Sequence, residues 1–346
     1  MQKTTVYSLF FLFLLICCSY AVSGTDTYQY VGQWGSEGSE DGQFKSPNII
    51  VVDSTGNVFV HDDSNRIQKF TSDGIFITKW KGQGKEPNYI TGIAFDRDGT
   101  VVVSVHYRIQ KYSADGTLID EWGTRGEGDG EFVGIDDIAV DNSGNIYVAD
   151  GSDWLPYLVN YKDIARIQVF TPDGRFVTKW GRYGSFSDDL QGLLNGIEID
   201  SAGNVFVGSG NNIKEYSASG QYHNDWGGGR EVGFIHEFGT LEDISVDKAG
   251  YIYTVDSGDS DNIKKFTSEG TRISSFGKYG TGNGEFKHPR SIAVDHDGNI
   301  YVADTGNHRI QKFTLKNQVA SGNEPVTCLL LFVIALGIVM VLSKEK

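Results

Sequence analysis

One sequence pattern occurs six times along the chain at nearly regular intervals. Each copy is a short apolar strand ending in aspartate, a two-residue turn, a glycine, and a second strand rich in β-branched and aromatic residues. The aspartates are 43, 45, 59, 47 and 48 residues apart. Recurrence every 40 to 50 residues or so, with several strands per unit, is typical of the blades of a β-propeller. The six aspartates are Asp53, Asp96, Asp141, Asp200, Asp247 and Asp295.

Two further strands follow the pattern in each of the first five units. The aromatic residue that ends the third strand and the one that ends the fourth are always ten residues apart, as between Phe70 and Trp80. This constant spacing predicts a hairpin of fixed register with a type I′ turn. The clearest turn sequences are Asp73-Gly74, Asp115-Gly116 and Asp173-Gly174.

The sixth unit ends after its third strand, at Phe313, and its fourth strand is found at the other end of the propeller sequence. The segment from Tyr28 to Trp34 matches the fourth strand of the first unit in length and residue type. We therefore expect an all-β, six-bladed propeller over residues 26–315, whose last blade is closed by the N-terminal strand. Closure of the ring hides the edges that an open repeat array exposes.

The last unit carries a family resemblance. Gly284-Glu285-Phe286, Pro289 and the string SIAVDHDGNIYVADTGNHRIQKF from Ser291 resemble an NHL repeat, including its Asn-His pair. The other units resemble it as well, although the second and fourth lack the Asp-containing loop and the Asn-His pair. The resemblance implies the propeller fold. It does not imply one activity, because such propellers include binding modules, sensors, lyases and lactonases.

The net charge argues against nucleic-acid binding, and the cysteine positions exclude a thiolate metal site in the propeller. The formal net charge of −15 argues against a nucleic-acid partner, since affinity for phosphate comes from clustered Lys and Arg. Cys17, Cys18 and Cys328 lie in the two terminal apolar runs and the rest of the chain has no cysteine. The propeller therefore has neither a disulfide nor a thiolate metal site.

Both ends of the chain carry apolar runs. Residues 1–24 have the charged start, apolar centre and small-residue end of a secretory signal peptide, with an uncleaved signal anchor as the alternative. After a linker, 316–325, residues 326–342 form an apolar run long enough for a short transmembrane helix, followed by a cytoplasmic tail, 343–346. A cleavable sorting or lipid-anchor tail is the alternative. We expect a single-pass cell-membrane protein with the propeller outside.

The loops between the second and third strands lie on the same propeller face as the connectors between blades. This loop-rich face is the expected binding surface. In blade three the loop is long and rich in aromatic residues, which suits a ligand or partner site. The alternative is that its rings pack on the neighbouring blade. The candidate ligand-binding residues are Asp150, Trp154, Tyr157, Tyr161, His61 and His106.

A second candidate site is the ring of residues that start the six innermost strands. Carboxylate and amide oxygens around one axis suit Ca²⁺, although Arg290 would repel a cation or pair with a carboxylate. The element Asn195-Gly196-Ile197 resembles that of gluconolactonase and paraoxonase-like propellers, which implies a calcium ligand at Asn195. The ring residues are Asn48, Thr91, Asp136, Asn195, Glu242 and Arg290, and the candidate calcium ligands are Asn48, Asp136, Asn195 and Glu242.

No catalytic constellation is predicted. The sequence has no nucleophile elbow and no phosphate-binding loop. We therefore expect a surface-anchored module that binds an extracellular protein, peptide or glycan. The alternatives are a calcium-dependent lactonase-like hydrolase and a structural component of the cell envelope.

Overall fold

The computed structural model describes residues 26–83, 89–151, 164–191, 194–228, 237–258 and 260–316. It contains 26 strands and one short 3₁₀ turn, Thr305–Asn307. The first thirteen strands are β1 (Tyr28–Trp34), β2 (Pro47–Val52), β3 (Val58–Asp62), β4 (Arg66–Phe70), β5 (Phe76–Trp80), β6 (Ile90–Phe95), β7 (Val101–Val105), β8 (Arg108–Tyr112), β9 (Leu118–Trp122), β10 (Thr124–Arg125), β11 (Glu131–Phe132), β12 (Ile135–Val140) and β13 (Ile146–Asp150). The remaining strands are β14 (Arg166–Phe170), β15 (Phe176–Trp180), β16 (Leu194–Ile199), β17 (Val205–Ser209), β18 (Asn212–Tyr216), β19 (Tyr222–Trp226), β20 (Thr240–Val246), β21 (Ile252–Ser257), β22 (Asn262–Phe266), β23 (Arg272–Phe276), β24 (Ser291–Val294), β25 (Ile300–Asp304) and β26 (Arg309–Leu315).

Six four-stranded antiparallel sheets form the blades of a propeller, as predicted. Blades one to five are β2–β5, β6–β9, β12–β15, β16–β19 and β20–β23, and blade six has the order β24-β25-β26-β1. Strand β1 is antiparallel to β26, with Tyr28 opposite Leu315 and Trp34 opposite Ile310. The prediction that the N-terminal strand closes the last blade is confirmed.

The hydrophobic core lies between the blades. Every residue of the second strands β3, β7, β13, β17, β21 and β25 is buried. The side chains of one blade pack against those of the next, as Phe70 of blade one does with Trp34 of blade six. Full burial of a large apolar side chain contributes roughly 1.5–3 kcal/mol, so these interfaces hold the ring without disulfides.

The turns between third and fourth strands differ from the predicted type I′. Gly74 N–H donates to Thr71 O at 2.9 Å and Thr71 N–H donates to Ile75 O at 2.9 Å. Gly74 has a φ of 81°, whereas neither residue before it has a positive φ. This is a type I turn followed by a glycine bulge, and the type I′ prediction is wrong. The loop has three residues, and only the last of them needs the left-handed conformation.

The repeated turn after each innermost strand is held by its aspartate. Asp295 Oδ1 accepts the N–H groups of Asp297 and Asn299 at 2.9 and 2.8 Å. Its Oδ2 accepts Asn299 Nδ2 at 2.8 Å and Tyr301 Oη at 3.0 Å. The carboxylate is used within the turn, so this position has a structural role.

In five of the six blades the fourth strand ends in a tryptophan, which packs under a turn glycine of the following blade. A Cβ atom added to Gly116 would lie 2.6 Å from Cδ2 of Trp80, and one added to Gly270 would lie 2.4 Å from Cγ of Trp226. Blade six has no such turn, because its third and fourth strands come from opposite ends of the propeller sequence. There Tyr28 stacks on Phe276 at a centroid distance of 5.0 Å, which explains why blade five ends in Phe instead of Trp.

No helix within the described residues is long and apolar enough to span a membrane. The predicted signal peptide and membrane helix, and the linker beyond Lys316, lie outside those residues.

The contact between glycine and tryptophan predicts different costs for two alanine substitutions in blade two. Gly99 and Gly116 have φ values of 82° and 89°, but an added Cβ meets nothing within 4 Å at Gly99. Gly99→Ala should cost only the left-handed strain, about 1–2 kcal/mol. Gly116→Ala should cost roughly 1–3 kcal/mol more, because the methyl group clashes with Trp80. Urea unfolding of both variants measures the difference, and equal losses would contradict the proposed packing.

Candidate functional site

The innermost strands of the six blades surround a central channel. Its cavity has a volume of about 650 Å³ and is lined by β2, β6, β12, β16, β20 and β24. The six residues predicted to ring the channel all line it, as expected from the repeat alignment. They are Asn48, Thr91, Asp136, Asn195, Glu242 and Arg290.

The four candidate calcium ligands each have a hydrogen bond within the propeller. Asn48 Nδ2 donates to Asp63 at 2.9 Å, and Asn195 Nδ2 donates to Gly210 O at 3.2 Å. Glu242 Oε1 accepts the Ser257 hydroxyl at 2.6 Å, and Asp136 Oδ2 accepts an N–H of the next blade at 3.3 Å. Among the described residues, no three His, Cys, Asp or Glu side chains are grouped as a metal site. Calcium binding at the rim stays a prediction.

Two carboxylates further along the innermost strands join neighbouring blades. Asp137 Oδ2 of blade three accepts the N–H of Ile197 in blade four at 2.9 Å. Asp243 Oδ2 of blade five accepts the N–H of Ile292 and the hydroxyl of Ser291 in blade six, at 3.0 and 2.7 Å. The Ser291 oxygen in turn accepts the N–H of Ile50 in blade one at 3.0 Å. These bonds tie three of the six blade junctions beside the channel.

Glycines opposite these aspartates make room for the carboxylates. A Cβ atom added to Gly92 would lie 2.5 Å from Asp137 Oδ1, and one added to Gly196 would lie 3.0 Å from Asp243 Oδ1. Gly196 of the Asn195-Gly196 element therefore has a packing reason in this chain. The sequence signal for the site was the alternation of Gly and Asp at one repeat position, Gly92, Asp137, Gly196 and Asp243, which the sequence interpretation missed.

Burial changes the protonation of the channel carboxyls. Burial, helped by the nearby Asp243, raises the pKa of Asp137 to about 8. Burial also raises the pKa of Asp243 to about 7, against the effect of its three hydrogen bonds. The pKa values of Asp136 and Glu198 lie well above their ordinary range, again mainly through burial. The channel wall can therefore take up and release protons near neutral pH.

On the loop-rich face, the predicted ligand residue Asp150 is fully buried. Its carboxylate accepts Arg166 Nε at 2.8 Å and the N–H groups of Val133 and Gly134 at 2.8 and 3.1 Å. These contacts hold the connector that precedes blade three. They give Asp150 a structural role in place of the predicted ligand contact.

The two predicted histidines lie at the same face. His61 is buried, its Nδ1 is 2.7 Å from Asn48 Oδ1, and burial lowers its pKa to about 4. His106 has a φ of 59° and packs on the ring of Tyr107 at a centroid distance of 3.9 Å. The aromatic candidates of the long loop lie outside the described residues, namely Trp154, Tyr157 and Tyr161.

The sequence interpretation missed a set of exposed rings on the connectors between blades. Tyr89, Tyr183, Phe186 and Tyr279 are 68%, 47%, 68% and 59% exposed. The guanidinium of Arg182 lies 5.8 Å from the centroid of Phe186. Exposed aromatic side chains next to a cation suit contact with a partner surface.

The raised carboxyl pKa values predict a pH dependence of stability. An unfolded Asp has a pKa near 3.9, about 3 to 4 units below the folded values, so between about pH 4 and pH 8 the folded state binds more protons. Folding stability supplied by Asp137 and Asp243 therefore falls as the pH rises through this window. The difference in melting temperature, Asp137→Asn/Asp243→Asn variant minus wild type, should therefore increase as the pH is raised from about 5 to about 9. Asp129→Asn, which removes an exposed carboxylate, is the control, and a constant difference would contradict the assignment.

Comparisons with known proteins agree with the fold. The NHL repeat family model matches residues 286–313, which lie in and just before blade six. Human "NHL repeat-containing protein 3" is 29% identical over 187 residues, which cover 51% of this chain and 50% of the human protein. The chain thus spans about half the length of this relative.

Solved structures show the same architecture at low identity. A streptogramin B lyase aligns with a TM-score of 0.54 and 16% identity over 84% of this chain and 98% of its own. A gluconolactonase from Xanthomonas campestris aligns with a TM-score of 0.56 and 15% identity over 85% of this chain and 91% of its own. At this identity the likeness concerns the fold alone. The chain is therefore a closed six-bladed β-propeller whose sixth blade carries an NHL repeat.

Proposed function

We propose that the chain is a recognition module that binds an extracellular protein, peptide or glycan through its loop-rich face. The observation that carries the proposal is the set of exposed rings on the connectors, of which Tyr183 and Phe186 lie three residues apart. Aromatic residues supply much of the binding energy of protein interfaces. Trp154 and Tyr157, the aromatic candidates predicted from the sequence, lie outside the described residues and are part of the same proposal.

The connectors that carry these rings are fixed to the propeller. In the connector before blade four, Asp189 accepts Arg182 Nε at 2.5 Å and the N–H of Phe186 at 2.8 Å. Lys214, which is buried, donates to Ser187 O at 2.7 Å. A rigid connector loses little conformational freedom when a partner binds, so more of the contact energy appears as affinity.

The path of the chain supports a tethered orientation. The N–H of Lys316 donates to Thr27 O at 2.8 Å, where the other blades have their turn between third and fourth strands. The chain therefore leaves the propeller on the face opposite the loop-rich face. An anchor in residues 326–342 would hold the loop-rich face away from the membrane and accessible to partners.

A second candidate function is a calcium-dependent lactonase-like hydrolase. It is favoured by the carboxylates and amides of the channel rim, which are oxygen ligands of the kind Ca²⁺ takes, and by the fold shared with a gluconolactonase. Calorimetry at millimolar Ca²⁺, with Asn195→Ala as the comparison, tests this function. If no Ca²⁺ binds, the hydrolase function is excluded. If no selective partner binds either, the structural role in the cell envelope is the remaining alternative.

The recognition proposal predicts that Tyr183→Ala/Phe186→Ala loses affinity without losing stability. Removal of two exposed aromatic contacts should weaken partner capture at least tenfold, equivalent to about 1.4 kcal/mol. The partner is first captured from the extracellular surface with the wild-type protein and then titrated against the variants. Trp154→Ala/Tyr157→Ala should act in the same direction.

The control is Ile75→Ala/Ile77→Ala, just before and within the outer strand β5, where the side chains are 67% and 46% exposed. It removes a comparable apolar surface from the side of the propeller and should leave affinity unchanged. Equal losses of affinity in the aromatic variant and in this control would indicate nonspecific adhesion and contradict the proposal. A large fall in melting temperature for the first pair would show that its rings support the fold.

A further inference from the structure

The loop between β21 and β22 contains buried oxygen atoms that lack the hydrogen bonds burial requires. Asp261 has no exposed surface, and within the described part of the chain neither of its carboxylate oxygens has a hydrogen-bond partner. The side-chain oxygen of the adjacent Asn262 is likewise buried without a partner among those residues. An ionised carboxylate in this condition is strongly unfavourable unless an opposite charge compensates it.

The repeat register identifies what Asp261 faces. It occupies the position of His308 in blade six, and both residues are left-handed, with φ values of 41° and 54°. His308 Nδ1 accepts the N–H of Ser46, in the connector to blade one, at 3.1 Å. The counterpart of Ser46 in the next connector back is His288, with a similar φ of 48°. Asp261 therefore lies at the junction of blades five and six, on the loop-rich face.

Three cations on the neighbouring elements pair with carboxylates other than Asp261. On β22, Lys264 pairs with Asp256, and on β26 Arg309 pairs with Asp304 at 2.7 Å. In the connector between the two blades, Lys278 pairs with Glu285 at 3.2 Å. Among the described residues, no Lys, Arg or His side chain donates a hydrogen bond to either carboxylate oxygen of Asp261.

We propose that Asp261 binds a hard cation, Ca²⁺ in the first instance, at the junction of blades five and six, with the Asn262 amide oxygen as a second ligand. Carboxylate and amide oxygens without sulfur or imidazole ligands favour calcium over transition metals. Ca²⁺ also tolerates the irregular coordination that a loop offers, whereas Mg²⁺ requires a near-ideal octahedron. The bound ion neutralises the buried charge and stabilises the folded ring by mass action. This site is separate from the channel rim.

The test compares the full-length wild type with Asp261→Asn after removal of divalent cations by a chelator. Asn occupies the equivalent left-handed position in blade one, at Asn65 with a φ of 55°, so the variant is compatible with the local backbone. Millimolar CaCl₂ should raise the melting temperature of the wild type by about 3 °C or more. The variant should not respond, and without calcium it should melt above the wild type because the uncompensated charge is gone.

Two further variants distinguish the Asp261 site from the channel rim and from the exposed carboxylates. Asp129→Asn removes an exposed carboxylate that pairs with Lys179, and it should respond to calcium as the wild type does. Asn195→Ala removes a rim oxygen and should also keep the response. A calcium response that survives Asp261→Asn and disappears with Asn195→Ala would place the ion at the rim and overturn the proposal. Wild type and Asp261→Asn with the same melting temperature, with and without calcium, would also overturn it.

Discussion

Closure of the ring by the pairing of β1 with β26 is the constraint on which the rest of the structure depends. Each blade buries both faces against its neighbours, so an open ring would expose two blade faces at once. The junction of blades five and six is built differently from the others, because the turn found elsewhere is absent there. Asp26 takes the place of that turn: its carboxylate accepts Lys265 Nζ at 2.6 Å. Tyr28 adds its stacking on Phe276 and a hydroxyl contact of 3.1 Å with Tyr253.

A second constraint is the buried polar cluster that fastens each connector to its blade. In blade six, Asp304 pairs with Arg309 and Gln311, and both of these donate to Glu285 O, at 3.0 and 2.7 Å. In blades four and five the Arg-Ile-Gln sequence is replaced by Asn-Ile-Lys, so the cation moves two residues along the strand. Lys264 still reaches both Asp256 and a connector carbonyl. Removing one partner of such a buried pair typically lowers the free energy of unfolding by about 3–5 kcal/mol. This cost explains why the first and third residues of the Arg-Ile-Gln sequence differ together in blades four and five, so that a buried cation is kept.

The fold was predictable from the sequence because its signals repeat, whereas the details of the sites depend on contacts between units. Regular spacing predicted the blade number, the closing strand and the rim residues. It could not predict that Asp137 and Asp243 bond to the next blade, since that follows from how innermost strands meet around the axis. Asp150 was assigned to the binding loop because it ends a strand beside that loop, yet its side chain points into the cluster that holds the connector. The turn type was predicted wrongly because Asp-Gly is found in type I′ turns and also at the end of type I turns, where the glycine forms the bulge.

The connectors and the central channel of the propeller differ in how they respond to pH. The exposed aromatic side chains need a connector backbone that does not move. The buried ion pairs beneath the connectors hold that backbone in place. The channel instead contains carboxyls, Asp137 and Asp243, whose pKa values of about 8 and about 7 lie close to neutral pH. Deprotonation adds negative charge at the blade junctions, where these side chains join blade three to four and five to six. A change in pH therefore acts on the contacts between blades, while the polar clusters within each blade keep the loop-rich face in place.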